Sequence, residues 1–340
     1  MPSNFDYRPL GHSGLRVPPL WLGTMMFGGQ AEEAQARDIV AAARDAGLNA
    51  IDTADNYNNG ESERAVGRLI ATDRSRWVLA SKVANQIGSE PNDRGLSRRW
   101  MMQEVDNSLR RLSTDWIDLY YMHRDDEDTP LEEMVGTMAR LIEMGKIRYY
   151  GVSNFSAWRL ASVVETARRM GVPAPIACQP PYSAINRQIE TELIGACRHY
   201  GLGVVSYSPL ARGVLSGKYR PNEEPEPGSR AARGDKRLLQ TEFRPRSVEL
   251  SQEFRQYAEA RGFHPVRFAV AWVLNNRHIH GLIAGPRTLA QWREYVESLP
   301  VRLSQQDEEF VERLVPAGYA STYGYTDPQY PLTGRTPRYI

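Results

Sequence analysis

Short apolar runs alternate with amphipathic segments along most of the chain. The apolar runs are typical of strands covered on both faces, and the amphipathic segments have the helical spacing of apolar positions. The runs predict eight strands, at residues 20–23, 48–52, 77–81, 116–122, 147–152, 176–179, 203–207 and 280–284. The amphipathic segments predict helices at residues 31–46, 62–71, 98–112, 131–144, 157–170, 190–200 and 288–298.

The regular alternation of strand and helix predicts the fold class. From the first predicted strand to the seventh, successive strands begin about one strand-and-helix unit apart. This order favours parallel strands with helices outside them, and eight units favour a closed (β/α)8 TIM barrel over an open doubly wound sheet. We expect a single α/β domain over residues 1–340, with the barrel at about 14–315 and a C-terminal tail at 316–340.

The interval between the seventh and eighth predicted strands is far longer than one helix. It contains a proline- and acid-rich stretch at residues 221–228, which predicts a loop. A loop after the seventh strand leaves the barrel at its C-terminal face, where active sites of this fold lie. The tail is rich in Tyr, Pro, Thr and Gly, has no helical period, and is expected to cover the same mouth.

Composition and charge narrow the class of protein. Of the 340 residues, 41% are hydrophobic and 24% charged, and the formal net charge is +1. This composition is typical of globular proteins and gives no electrostatic reason to expect a nucleic-acid or membrane-surface partner. Cys178 and Cys197 do not form a CxxC pair, and neither a signal-peptide pattern nor a membrane-length apolar run occurs. We therefore expect a cytoplasmic protein with reduced thiols.

Familiar cofactor and metal motifs fail when they are tested against the sequence. Gly201 and Gly203 are followed by Ser206 where a Rossmann fingerprint requires glycine, and residues 213–219 are one residue short of a P-loop. No HExxH motif, Cys/His cluster or complete EF-hand loop occurs, so no metal site is expected.

Ionisable residues follow three consecutive predicted strands. Asp52 ends the second strand and Tyr57 follows it, Lys82 follows the third strand and His123 the fourth. The C-terminal ends of barrel strands meet around one mouth, so these four side chains are expected to converge there.

The residue types of this set suit carbonyl reduction. The pKa of an ordinary tyrosine is near 10, and the Lys82 ammonium, held by Asp52, is expected to lower that of Tyr57. Tyr57 would then donate a proton to a carbonyl oxygen, while His123 would direct the substrate oxygen or help to relay a proton. The hydride must come from a cofactor, since no side chain supplies one.

The set Asp52-Thr53-Ala54-Asp55-Asn56-Tyr57, together with Lys82 and His123, resembles the catalytic tetrad of the aldo-keto reductases. Further blocks of the chain match this family, at residues 151–155, at Gln179 and at residues 206–210. The segments at residues 94–98 and 213–219 are most similar to the branch that contains bacterial reductases and potassium-channel β-subunits.

The resemblance implies a nicotinamide cofactor, usually NADPH with NADH as an alternative, bound across the barrel mouth. The residues implied to bind its nicotinamide half are Gly23 and Thr24 beneath the ribose, Ser153, Asn154 and Gln179 at the carboxamide, and Tyr207 stacked on the ring. Those implied for the rest are Ser208, Leu210, Gly213, Lys218 and Arg230 at the pyrophosphate, and Arg287, Gln291 and Glu294 at the adenosine end. Asp52 is also implied to contact the cofactor. Tyr295 stands where the family usually has Asn, which implies that adenine is stacked rather than hydrogen-bonded there.

The expected function is NADPH-dependent reduction of an aldehyde or ketone. Met25, Phe27, Trp100 and Arg124 are the candidates to face the substrate, and this mixed rim suits a sugar-derived or anionic aldehyde. Two alternatives stay open: a channel-β-like regulatory or redox-sensing subunit with slow turnover, and physiological alcohol oxidation. The partner is expected to be a small carbonyl compound, and a homo-oligomer is left open.

Overall fold

Eight parallel strands close into a barrel in a computed structural model that describes residues 5–324 and 326–330. The strands follow one another around the barrel in chain order, and the last of them pairs with the first. The (β/α)8 prediction is therefore confirmed. The barrel strands are β3 (Leu20–Gly23), β4 (Ala50–Asp52), β5 (Val78–Val83), β6 (Ile117–Met122), β7 (Ile147–Ser153), β8 (Ala177–Gln179), β9 (Gly203–Tyr207) and β10 (Ile279–Ala284).

A short antiparallel hairpin that the sequence pattern did not indicate precedes the barrel. Its strands are β1 (Arg8–Pro9) and β2 (Arg16–Val17). Leu10 and Val17 are fully buried and pack with residues of the barrel interior, including Trp21. The hairpin therefore contributes apolar side chains to the interior, which leaves the opposite, C-terminal ends of the strands to form the mouth.

Helices surround the barrel, and a second hydrophobic cluster fills the layer between them and the strands. Helix α3 shows how the sequence begins such a helix, because the Ser97 hydroxyl accepts a hydrogen bond from the Trp100 amide at its N-terminus. The helices are α1 (Glu33–Asp45), α2 (Glu61–Ile70), α3 (Arg98–Leu112), α4 (Leu131–Glu143), α5 (Ala157–Met170), α6 (Leu193–Tyr200), α7 (Lys236–Gln240), α8 (Pro245–Ala260), α9 (Pro265–Asn275), α10 (Leu289–Val296) and α11 (Gln305–Leu314).

The long interval after β9 contains a 3-10 helix at Ala211–Ser216 and the helices α7, α8 and α9. Residues 221–228 form turns and irregular backbone, as the proline-rich pattern predicted. The tail also reaches the mouth, because Gln329 and Tyr330 line its cavity and both oxygens of Asp327 accept hydrogen bonds from Arg237. Residues 331–340 lie outside the described part of the chain, and the extent of the single domain stays a prediction.

Candidate active site

A fully buried lysine lies near the C-terminal end of β5. The Lys82 Nζ atom, at the end of β5, is 2.5 Å from Asp52 Oδ1, 2.7 Å from the Thr53 carbonyl oxygen and 3.3 Å from the Tyr57 hydroxyl. An ammonium has three protons to donate, and these three acceptors use all of them. The strand ends thus bring Asp52, Tyr57 and Lys82 together, as the sequence indicated.

The electrostatic balance at Tyr57 differs from the sequence-based expectation. Burial disfavours the Lys82 ammonium, but Asp52 and Tyr57 outweigh this, so the pKa of Lys82 lies above its ordinary value. Burial likewise raises the pKa of Tyr57, and Lys82 opposes this only in part. The expected net lowering of the Tyr57 pKa was therefore wrong, because desolvation of a phenolate exceeds the attraction of one ammonium. Tyr57 is a protonated phenol at neutral pH.

His123 completes the set at the end of β6. Its ring meets that of Tyr57 edge to face, with ring centroids 5.9 Å apart. Burial lowers the pKa of His123 well below its ordinary value, and the nearby Lys82 and Arg124 charges lower it further. His123 is therefore neutral. Asn85, which the sequence analysis did not select, lies beside it, with its Nδ2 atom 2.9 Å from His123 Nδ1.

Several residues predicted to bind the cofactor form hydrogen bonds with Asp52 and with one another. Gln179 Nε2 donates to Asp52 Oδ2 over 3.0 Å, and the Ser153 hydroxyl donates to the Gln179 carbonyl oxygen over 2.8 Å. Asn154 has a left-handed backbone with φ of 60° and accepts from the Tyr207 hydroxyl over 2.8 Å. These contacts connect β4, β7, β8 and β9 into one hydrogen-bonded wall beside Lys82.

A cavity of about 790 Å³ extends from this wall across the mouth. All of the residues assigned above to the cofactor line it, as do Tyr57, His123 and Met25. The Thr24 hydroxyl already has partners within the protein, since it donates to the Asp52 carbonyl oxygen and lies 2.9 Å from the Ser62 hydroxyl. The structure thus places the predicted cofactor set around one continuous space.

The loop after β9 has an unusual backbone where it borders this cavity. Ser208, Ala211 and Arg212 have positive φ angles of 61°, 46° and 54°, followed by Gly213 at 99°. Non-glycine residues in the left-handed region cost on the order of 1–3 kcal/mol each and cluster at ligand-binding loops. The Arg212 side chain lines the cavity, and its buried Nε has no hydrogen-bond partner among the described residues. Sequence reasoning missed Arg212 because arginines are frequent in this chain.

Cationic side chains outnumber carboxylates in the lining of the cavity. Among the described residues its lining holds six Lys and Arg side chains but only two carboxylates. Burial lowers the pKa of Lys218, and the charges of Arg230 and Arg287 lower it further. Cations that repel one another in this way would be stabilised by an anion between them. The donor set therefore fits a phosphate-bearing nucleotide.

At the adenosine end, two of the implied residues already have partners within the protein. The Gln291 Oε1 atom accepts from the backbone amides of Arg287 and Thr288 and caps helix α10. The Glu294 carboxylate accepts two hydrogen bonds from Arg267. Both side chains line the cavity, but these polar atoms already have partners, which leaves less hydrogen-bonding capacity for a nucleotide than the resemblance implied.

The substrate-facing candidates separate into three groups. Met25 lines the cavity, whereas Trp100 is 2% exposed in the core between helices and strands and Phe27 is fully buried there. Trp100 was therefore placed wrongly, because its apolar helical spacing carries it inward. Arg124 is exposed and does not line the cavity, although its charge acts on His123 and on Tyr330 of the tail.

The described residues also bear on two other kinds of feature, membrane spans and metal sites. No helix among residues 5–324 and 326–330 is long and apolar enough to cross a membrane. Within the same ranges, no group of three or more His, Cys, Asp and Glu side chains is arranged to hold a metal ion.

Several known proteins have sequences similar to this chain. The model of the Aldo/keto reductase family matches residues 19–315. The chain is 35% identical over 324 residues to the uncharacterized oxidoreductase YrpG of Bacillus subtilis, covering 92% of this chain and 96% of that protein. It is 34% identical over 301 residues to a probable voltage-gated potassium channel subunit beta of Oryza sativa, covering 87% and 92%. It is 32% identical over 308 residues to the L-glyceraldehyde 3-phosphate reductase of Escherichia coli K12, covering 86% and 87%.

The barrel, the residues at its mouth and these relatives define an oxidoreductase of the carbonyl-reducing class. The chain belongs to the aldo/keto reductase family, as the tetrad motif indicated. Members of this family generally use a nicotinamide nucleotide and act on small carbonyl compounds.

Proposed function

We propose that this protein is an NADPH-dependent reductase of aldehydes or ketones in which Tyr57 is the proton donor. The observation that carries the proposal is the contact of the Tyr57 hydroxyl with the buried Lys82 ammonium at one end of the long cavity. General acid catalysis requires a proton donor within reach of the reacting oxygen, and Tyr57 is the phenol at that place.

The residues of this chain would divide the work as follows. Bound nicotinamide nucleotide supplies the hydride. Tyr57, protonated at neutral pH, donates its proton to the carbonyl oxygen, and the Lys82 ammonium stabilises the phenolate that remains. Asp52 holds Lys82 charged, and Gln179 holds Asp52 in place. Neutral His123 donates a second hydrogen bond to the substrate oxygen and so directs it toward Tyr57.

The preference for NADPH over NADH rests on the cations of the cavity. NADPH carries a ribose 2′-phosphate that NADH lacks, and guanidinium groups match phosphate geometry with two parallel hydrogen bonds. Arg287 lines the cavity just before the start of helix α10. We assign the 2′-phosphate to Arg287 and the pyrophosphate to Lys218, Arg230 and the loop that holds Gly213.

The substrate we propose is a small aldehyde with an anionic group, such as a phosphorylated or oxidised sugar derivative. Arg212 supports this class, because its charge acts on both Tyr57 and Tyr207 and its Nε lacks a partner among the described residues. One relative, from Escherichia coli, is named for the reduction of a phosphorylated aldehyde. The cytoplasmic location, the oligomeric state and the single domain stay predictions.

A second candidate is a regulatory subunit that binds the nucleotide and turns over slowly. It is favoured by the resemblance to proteins named as potassium channel β-subunits in Oryza sativa and Arabidopsis thaliana. The tetrad is complete in this chain, which supports both candidates. Turnover therefore discriminates between them.

The test is an NADPH-oxidation screen with neutral and anionic aldehydes, run on the wild type and on Tyr57→Phe. We expect multiple turnovers in the wild type and a loss of about 10²–10⁴-fold in Tyr57→Phe, with nucleotide binding nearly intact. A single slow turnover across the screen would favour the regulatory candidate. Full activity in Tyr57→Phe would contradict the assignment of the proton donor.

A further inference from the structure

Asn85 lies in the loop after β5, three residues beyond Lys82, and lines the cavity beside His123. Its Nδ2 atom is 2.9 Å from His123 Nδ1. An amide NH₂ group only donates hydrogen bonds, so the imidazole nitrogen that faces it must be the acceptor. A neutral imidazole with Nδ1 as acceptor carries its single proton on Nε2.

The surrounding backbone fixes the positions of Asn85 and His123 relative to each other. The His123 amide donates to the Val83 carbonyl oxygen over 2.8 Å, which joins the ends of β5 and β6. Ala84, between Val83 and Asn85, has a φ of 142°, a conformation that side-chain-bearing residues rarely adopt. Its carbonyl oxygen accepts from the Gly95 amide over 2.8 Å, so this strained turn is anchored on both sides. Strain kept at one residue beside a site indicates that the direction of the next side chain matters.

The charges near the His123 imidazole favour its neutral form. Lys82 and Arg124 are the charged groups that face His123, and Tyr57 and Tyr330 are the phenols near them. Burial and these two charges all lower the pKa of His123. A second proton on the ring, and the positive charge it would bring, are thus disfavoured. The ring is neutral, and the contact with Asn85 bears on which of its two neutral forms is present.

From this geometry we propose that Asn85 is a positioning residue that sets the tautomer of His123 and thereby makes Nε2–H the donor to the substrate oxygen. The catalytic consequence rests on the proposed carbonyl reduction. The tautomer itself does not, because it is a property of the protein without nucleotide or substrate.

The first measurement is long-range ¹H–¹⁵N NMR of the wild-type protein without nucleotide. The protein has six histidines, and the loss of one ring signal in His123→Asn identifies His123. We expect a ring with a protonated Nε2 and an unprotonated Nδ1, and we expect it to stay neutral at pH values at which an ordinary histidine is already protonated. A protonated Nδ1 in the wild type would overturn the proposal, whatever the enzyme's activity.

The second measurement uses the variant Asn85→Asp, which replaces the hydrogen-bond donor facing His123 Nδ1 by an acceptor. A carboxylate accepts a hydrogen bond, so Nδ1 becomes protonated and the imidazolium is stabilised; the His123 titration should move up toward the ordinary histidine range near pH 6.5. Above that pH the Nε2 lone pair faces the substrate oxygen, and we expect kcat for carbonyl reduction to fall about three- to tenfold with NADPH affinity unchanged. Asn85→Ala should give mixed tautomers and a smaller loss.

Asn92→Asp is the matched control, because it adds the same charge to an exposed position of the same loop. It should leave the His123 signals, kcat and the pH profile unchanged. Equal effects of Asn85→Asp and Asn92→Asp would reduce the result to a general charge effect and would overturn the proposal. Altered His123 signals with unaltered kcat would uphold the tautomer assignment and contradict the role proposed for His123 in the reaction.

Discussion

Replacement of Lys82 by methionine tests the centre of the proposed site, since it removes the ammonium and keeps a side chain of similar length. The Lys82 Nζ atom lies 2.5 Å from Asp52 Oδ1 with neither group in solvent. Without Lys82, the Asp52 carboxylate keeps Gln179 as a donor but has no opposite charge. Removal of one partner of a buried ion pair costs about 3–5 kcal/mol, and we expect the free energy of unfolding to fall by that amount.

The double variant Lys82→Met/Asp52→Asn separates lost charge from lost packing. It removes both charges, so no buried carboxylate is left without compensation, and it should be more stable than Lys82→Met by about 1–3 kcal/mol. Urea unfolding followed by tryptophan fluorescence measures both variants against the wild type. A Lys82→Met protein as stable as the wild type would refute the buried ion pair.

Lys82→Met should also change the chemistry of Tyr57. Burial already raises the pKa of Tyr57, and loss of the ammonium raises it further, which makes the phenol a weaker acid. We expect carbonyl reduction at pH 7 to fall by about 10²–10⁴-fold, with the alkaline limb of kcat/KM moved to higher pH. Nucleotide binding should change little, because Lys82 does not line the cavity. An unchanged pH profile would show that another group perturbs Tyr57.

Three further predictions use other parts of the structure. Arg287→Ala should weaken NADPH binding by roughly tenfold to a hundredfold and leave NADH binding nearly unchanged, as measured by fluorescence titration. Equal losses for both nucleotides would contradict the phosphate contact, and so would the same loss in the control variant Arg293→Ala, which changes an exposed residue. Arg212→Leu should lower kcat/KM for anionic aldehydes by roughly tenfold and spare neutral ones, and an equal loss for both in the same assay would remove Arg212 from substrate recognition. Burial disfavours the Asp307 carboxylate, but hydrogen bonds from Arg261 and other donors hold its pKa at about 2. Asp307→Asn should therefore lower the free energy of unfolding by about 1–2 kcal/mol at pH 7, and in acid unfolding curves this difference should disappear as the pH falls from about 4 toward 2.

The strands and the tetrad could be predicted because both follow local rules. Apolar runs mark β3 to β10, and their order alone implies that Asp52, Lys82 and His123 end at the same mouth. The family blocks likewise placed the cofactor set, from Gly23 to Glu294, around what proved to be one cavity. The hairpin of β1 and β2 was missed because strands of two residues are too short to show a period.

What the sequence determined by itself was that Asp52, Tyr57 and His123 reach the mouth. How the residues there act on one another was decided only by the tertiary structure, as was the presence of Asn85 and Arg212 among them. The sign of the Tyr57 pKa shift depends on burial by segments far along the chain, and burial outweighs the Lys82 charge. Gln179 and Asp52 are 127 positions apart, and Arg237 and Asp327 are 90 apart, so no local pattern could pair them. The periodicity of apolar positions indicates which face of an element is buried and where the element ends. Hydrogen bonds, desolvation and the direction of side chains such as Asn85 arise only when distant elements pack together.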